Sequence, residues 1–313
     1  MIFQATPGGL FVRYKPGQSR VVLILGAGAS SHLGFPLGRS LWTEIIQNTE
    51  NRDSAAFRSL LDMGFDEQAV LGFRDRLKKF LPGTIDEFLA EWRDFRDIGK
   101  AAIAQVIIAR EDEDKISQPD SNWYFLLAKR IRLDIGRNTF PPLIVTFNYD
   151  LSLDKCLLDF FRSTDRHKNI KTLDDAVTLL HVHGALGQLD VENGPLFRSY
   201  GNNLSPKGIL EASQGIRVPG EIENDLGIAM VRAQKAIAEA ERVIFLGFGY
   251  DETNLDNLRI EDWKHSKFYG TAFNLDRKSR DKLLALTNKK LVLGKSDWPI
   301  YEYLQTAPDC WTY

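Results

Sequence analysis

At 313 residues, with a formal charge of −2 and 43% hydrophobic residues, the chain is long enough to bury one large core or two modest ones and has no general excess of positive charge. It therefore gives no direct signal for nucleic acid or for an anionic membrane surface, and no stretch approaches the roughly 18 apolar residues of a membrane span. The two cysteines, Cys156 and Cys310, are too few for a disulfide framework and lack metal-ligand spacing. The first residues lack the apolar core of a signal peptide, so a cytoplasmic globular protein is expected.

In chain order, the first apolar run is Val21–Leu25, followed by Gly26-Ala27-Gly28-Ala29-Ser30 and then Gly34-Phe35-Pro36. More than a hundred residues separate it from the next strong run. Within them Leu41–Asn48, Ala55–Met63, Gln68–Phe80, Ile85–Ile98 and Trp123–Ile131 read as amphipathic helices. Residues 41–135 are thus expected to form a helical insertion or layer inside a single unit spanning 1–313. The charged run Arg110–Lys115 reads as a solvated loop or helix end. Leu143–Phe147 is the second apolar run and leads into Thr146-Phe147-Asn148-Tyr149-Asp150. Cys156 falls in an apolar helical pattern and reads as core filler. Val177–His183 is a candidate strand on which period-2 alternation would put His181 and His183 on one face, with a turn at Gly184. Leu226–Glu241 is the clearest helix, with Asp225 as its N-cap. Val243–Leu246 then runs into Gly247-Phe248-Gly249-Tyr250 and Asn254. Phe268–Asn274 and Leu291–Leu293 complete the strands. Short β-branched runs alternating with helices predict an α/β fold, a Rossmann-like open parallel sheet with helices on both faces.

Ligands of such sheets sit at the carboxyl ends of the strands, where the motifs above cluster. Glycines after the first strand would let the backbone approach a pyrophosphate, although any tight strand-to-helix turn also uses them. The usual dehydrogenase fingerprint is absent: Ser31 stands where its third glycine belongs, and no acidic strand end follows about twenty residues later. Asn148 and Asp150 are either cofactor-facing groups or ordinary turn formers. His183 is either a general base or a structural histidine. The scattered His32, His167 and His265 supply no zinc cluster with the His181–His183 pair.

Taken together, these motifs resemble the sirtuin family. Gly26 to Ser30, Gly34 to Pro36 and Arg39 match its Gly-Ala-Gly-x-Ser, Gly-Ile-Pro and Arg elements. Thr146-x-Asn148-x-Asp150 and His183-Gly184 match its Thr-x-Asn-x-Asp and His-Gly, while Gly247 and Asn274 are looser matches. The segment Thr84–Leu89 looks like a helix start of the bacterial sirtuin-like branch. The resemblance implies NAD as substrate, bound by Gly26, Ala27, Gly28, Ser30, Pro36, Arg39 and Thr146, with Gly247 and Asn274 serving the adenosine half. It implies that Asn148 positions water or ribose, that His183 transfers a proton or orients a ribose hydroxyl, and that Asp150 lines the nicotinamide pocket. The zinc-binding cysteines of the family's deacylases are missing, so no zinc is expected. Leu37-Gly38-Arg39 replaces their Asp-Phe-Arg. Both departures fit the bacterial branch associated with anti-phage defence, whose members hydrolyse NAD to ADP-ribose and nicotinamide. Such an activity implies control by a homo-oligomer or by a separately encoded regulatory or effector protein. A non-catalytic NAD or ADP-ribose sensor and a zinc-free protein deacylase are the alternatives.

Overall fold

The first strand, β1 (Val21–Leu25), is buried along its length, and its alternation divides the interior in two. Leu23 and Leu25 pack on one face of the sheet, Val22 and Ile24 on the other. The computed structural model describes residues 20–80, 84–120, 122–163, 170, 172–189, 194, 196–218, 220–221, 227–259, 267–287 and 290–306. Among these, β1 is joined by β2 (Leu143–Thr146), β3 (Leu179–His181), β4 (Arg242–Leu246), β5 (Lys267–Gly270) and β6 (Leu291–Leu293). They form one 6-stranded sheet in the order β3-β2-β1-β4-β5-β6, and every pairing is parallel. The chain lays β2 and β3 on one side of β1, then crosses over to build β4, β5 and β6 on the other. The switch falls between β1 and β4, and connections leaving in opposite directions there open a crevice at the carboxyl ends. This is the α/β, Rossmann-like parallel sheet that the sequence predicts.

The face formed by Leu23 and Leu25 is covered by the residues between β1 and β2. These fold as α1 (Gly38–Glu50), α2 (Ala55–Asp62), α3 (Glu67–Lys79), α4 (Ile85–Glu91), α5 (Arg96–Ile108), α6 (Glu113–Ile116) and α7 (Tyr124–Gly136). Side chains such as Leu77, Phe88, Ile103 and Leu127 join the strand residues in a single cluster. These helices form a layer that extends the sheet's own core. After β2 come α8 (Ser152–Arg162), α9 (Pro206–Ser213), α10 (Gly227–Glu239), α11 (Glu252–Asn257), α12 (Arg277–Leu286) and α13 (Ile300–Thr306). Met230, Ala233 and Ile237 of α10 and Leu283 of α12 cover the opposite face. Cys156 lies buried in α8 as expected, its thiol pushed up to about 12 by burial.

Several expectations shift. The strand expected at Val177–His183 ends at His181, and the one expected at Phe268–Asn274 covers Lys267–Gly270. The helix expected at Ile85–Ile98 is broken. Thr84 and Glu87 close a capping box that starts α4, and the helix stops at Trp92. Arg96 then donates from Nε to the carbonyl of Leu89 at 2.9 Å, capping the end of α4 as the first residue of α5. Helix α5 runs on to Ile108 and is apolar nearly all round, because α1, α2, α3, α4 and α9 enclose it. Glu111, expected in a solvated run, is 1% exposed and paired with Arg198. Asp225, Leu226, Cys310, His167 and His265 lie outside the described residues.

Candidate active site

A cavity of about 190 Å³ lies at the carboxyl ends of β1, β2 and β4. Gly26 and Ala27 enter it from β1, Asn148 and Asp150 from β2, and Phe248 and Gly249 from β4; His183 reaches it from the turn after β3. The helical layer closes the other side through Asp86 and Ile107, with Pro36 and Gly38 at the start of α1. The walls carry the rings of Phe35, Phe147, Tyr149 and Phe248, and no lysine or arginine is among the described lining residues.

The orientation of Asn148 follows from its partners. Asp150 is buried, and its carboxylate accepts from the Ser30 hydroxyl at 2.8 Å, from the Ser152 backbone N–H at 3.1 Å and from the Ser152 hydroxyl. Burial pushes Asp150 above its ordinary value, against the pull of the Ser152 and Ser30 hydroxyls. With its proton committed to Asp150, Ser30 Oγ can only accept, and Asn148 Nδ2 donates to it at 2.9 Å. The Tyr124 hydroxyl lies 3.1 Å from both Ser30 Oγ and Ser152 Oγ and completes the buried group. The amide nitrogen of Asn148 is thus tied to the β1 turn, which leaves its Oδ1 as an acceptor for whatever enters the cavity.

His183 has a different anchor. Its Nδ1 lies 3.4 Å from Oδ1 of Asp86 on α4, and the Tyr149 hydroxyl donates to that same carboxylate oxygen. The ring stands edge-on to Phe147, with centroids 5.2 Å apart. Burial pulls the His183 imidazole down, but the charge and contact of Asp86 outweigh it and leave His183 above its ordinary value. Burial likewise pushes Asp86 up, and His183 and Tyr149 outweigh that to hold it low. The two groups behave as an ion pair. His181, expected on the same face as His183, is elsewhere: it ends β3, and its ring nitrogens reach the Asn148 carbonyl at 3.1 Å and Asp154 at 3.2 Å. The turn at residues 182–183 breaks the alternation that would have kept the histidines together.

The glycines of the first turn answer mainly to the neighbouring chain segment. Gly28 N–H donates to the Gly247 carbonyl at 2.8 Å, and a Cβ on Gly28 would stand 2.9 Å from Gly247 Cα. Gly247 itself has φ 59, and a Cβ there would meet the Ala29 nitrogen at 2.2 Å. The turns after β1 and β4 are therefore in backbone contact across the switch point. Gly26, Ala29 and Ser30 also spend their N–H groups on carbonyls, of Leu246, Gly26 and Ala27 respectively. Of the residues expected to cradle phosphate, Gly26 and Ala27 line the cavity, whereas Gly28 is packed against Gly247 and Ser30 serves Asp150 and Asn148.

Pro36 lines the cavity, but Thr146, Arg39, Gly247 and Asn274 do not. Thr146 Oγ1 accepts from the Asn148 N–H at 3.1 Å and so shapes the turn. Arg39 is exposed in the first turn of α1. Asn274 sits at φ 57 beyond β5, its N–H bonded to the Ser296 carbonyl. Gly247 braces the Gly28 turn. Asp86, Tyr124, Tyr149 and Ser152 are the groups that sequence reasoning did not single out for the site. The capping-box pattern at Thr84–Glu87 is the one signal for Asp86 in the sequence, and it points to a helix start alone. Among the described residues, no group of three or more His, Cys, Asp or Glu side chains could hold a metal ion. No helix among them is long and apolar enough to cross a membrane. Compared with known proteins, the chain matches no family model and no curated protein at a significant level.

Proposed function

We propose that the protein is an NAD hydrolase, converting NAD and water to ADP-ribose, nicotinamide and a proton. The observation that carries this reading is the convergence of Asn148 and His183 on one aromatic-walled cavity at the sheet's switch point. The reactive end of NAD is a cationic aromatic ring on a ribose. Aromatic rings with no lysine or arginine beside them favour such a cation. The volume of about 190 Å³ is below the roughly 300–1,000 Å³ of a drug-sized ligand site. It suits the nicotinamide–ribose end, with the rest of the dinucleotide passing along the strand ends. The resemblance of Gly26–Ser30, Asn148–Asp150 and His183-Gly184 to sirtuin motifs supports the same assignment.

In the reaction, the bond from ribose C1′ to the pyridinium nitrogen breaks. Its electron pair neutralises the leaving nicotinamide, while a water oxygen bonds to C1′. Asn148 Oδ1, held outward by Ser30, accepts from the attacking water or a ribose hydroxyl and fixes its position. His183 Nε2 takes the proton that is released. Asp150 acts beneath the surface, ordering Ser30 and through it Asn148. As an unregulated hydrolase of this kind would exhaust a cell's NAD, we place it under the control of self-association or a separate protein, in an anti-phage setting.

Incubating the protein with NAD and separating the products tests this directly. Free ADP-ribose and nicotinamide should form, and Asn148→Ala or His183→Ala should each lower the rate at least ~100-fold, the scale of a lost positioning or acid–base group. Wild-type turnover in either folded variant would refute the assignment. Acyl-lysine peptides consumed with little free ADP-ribose would replace hydrolysis with deacylation, and tight binding without products would make the protein a sensor.

A further inference from the structure

We infer that Asp86 is a positioning residue for His183, holding the imidazole so that Nδ1 faces helix α4 and Nε2 faces the cavity. The inference rests on the NAD-hydrolase reading only for its kinetic consequence. It begins from a cost: a carboxylate taken from water must be compensated by donors or by a charge. The Asp86 side chain is 17% exposed, and it receives the Tyr149 hydroxyl together with His183 at 3.4 Å. The Tyr149 hydroxyl and the residue's own backbone are neutral donors, and the histidine is the group that supplies an opposing charge. Among the described residues, none is bonded to Nε2 of His183, which belongs to a cavity-lining residue.

The pair is also held from both ends. The Thr84/Glu87 capping box fixes the first turn of α4, where Asp86 lies. Glu87 Oε1 accepts from Thr253 Oγ1 of α11 at 2.7 Å, tying that turn to the far rim of the cavity. On the other side, the His183 carbonyl accepts from the Arg217 N–H at 2.8 Å, and Gly184 turns away with φ 71. The titratable and charged groups around the ring are Asp86 from α4, Tyr149 and Asp150 after β2, Arg217 after α9 and Asp251 at the start of α11. Of these, Asp86 is the one in ion-pair contact with it. A carboxylate at Nδ1 favours the neutral tautomer protonated there, which leaves the Nε2 lone pair available as a base. A contact of 3.4 Å is long for a hydrogen bond, as catalytic contacts often are before substrate binds.

The pH consequence has a definite sign. Asp86 holds His183 above its ordinary value, and a base works only when deprotonated, so the acid limb of turnover lies above the pH of a free imidazole. Removing the carboxylate charge lowers that limb.

Ring NMR of His183 in the full chain tests the inference without reference to NAD. In the unmodified protein His183 should titrate above about 6.5, the ordinary imidazole value, and its neutral form should carry the proton on Nδ1. Asp86→Asn keeps the volume and an acceptor for Tyr149. It should lower the midpoint by ~1 unit or more, as loss of a close opposite charge does, and weaken the bias of the neutral proton towards Nδ1, since an amide oxygen is a poorer acceptor than a carboxylate. With NAD turnover measured alongside, kcat should fall ~10-fold or more while KM changes less than ~3-fold, and the acid limb should move down in pH. A neutral Nε2–H tautomer in the unmodified protein overturns the inference even if Asp86→Asn does not fold. An unchanged midpoint in folded Asp86→Asn overturns it too. If the NMR shifts occur as expected and no NAD is cleaved, the positioning role stands and the hydrolase reading is what fails.

Discussion

The Glu111–Arg198 pair allows the interior of this fold to be tested with numbers. The Glu111 side chain is 0% and that of Arg198 7% exposed. Glu111 accepts from Arg198 Nη1 at 2.7 Å, from Nη2, and from the Gly201 N–H at 2.8 Å. Burial leaves the Glu111 carboxyl above its ordinary value, and Arg198 and Gly201 offset only part of that push. Arg198 also donates from Nε to the Leu186 carbonyl and from Nη1 to that of Ser199 at 3.0 Å. Glu111→Ala would leave a buried guanidinium short of two acceptor oxygens and orphan the Gly201 N–H. Breaking a buried pair from one side costs about 3–5 kcal/mol. At roughly 2–3 °C per kcal/mol for a chain of this size, the melting temperature should fall by on the order of 10 °C. The double variant Glu111→Met/Arg198→Met removes both charges and should recover at least half of that loss, because the penalty lies in the unpaired charge and not in the pair's net worth. Thermal and urea unfolding followed by circular dichroism measure both. A drop of less than about 2 °C for Glu111→Ala, or a double variant no better than the single, would refute the buried ion-pair account. The Leu186 N–H bonds the Tyr149 carbonyl at 2.9 Å, so the same lesion should also loosen the chain just beyond His183.

Substitutions at two further positions probe the site. Gly38 is the first residue of α1, with open space where a Cβ would stand and no positive φ, so Gly38→Ala should leave melting unchanged or stabilise the chain by up to ~1 kcal/mol; Gly38→Phe should slow NAD hydrolysis at unchanged melting, and a Phe variant with full turnover would show that water reaches the ribose by another route. Ser30→Ala removes the acceptor of Asn148 Nδ2 and one donor to Asp150, so kcat should fall ~10–100-fold with a stability cost of about 1–3 kcal/mol; unchanged turnover would show that Asn148 does not depend on that anchor.

What is legible in the chain follows from the range of the forces involved. The strands can be read because Val21–Leu25, Leu143–Thr146 and residues 243–246 are buried on both faces, and parallel central strands write that burial as largely apolar runs. The cavity-lining Gly26, Ala27, Asn148, Asp150 and His183 can be read because residues just past strands converge at the carboxyl edge. Helix α5 is harder. Its apolar residues encircle it, so periodicity signals burial without locating an end, and the break at Trp92 depends on Arg96 reaching back to the Leu89 carbonyl. The alternation rule fails for His181 and His183 because it holds only while the chain remains extended, and the strand ends at His181.

The roles of the site residues are less legible than their positions, since roles are set by partners far away in sequence. Ser30 reaches Asp150 across 120 positions and Asn148 across 118; nothing within the Gly-Ala-Gly-Ala-Ser turn says that its serine serves a carboxylate. Gly28 looks like a phosphate-binding glycine, because a glycine allows any close approach and the sequence does not name the approaching group. Here that group is the Gly247 backbone. Asp86 reads as an ordinary first-turn acid of α4, a place where helix polarity alone favours a carboxylate. It becomes more than that because the parallel order β3-β2-β1 sets β3 two strands away from β1, bringing the turn that bears His183 beneath the layer that bears Asp86. The fold's topology, and not any local pattern, makes the pair.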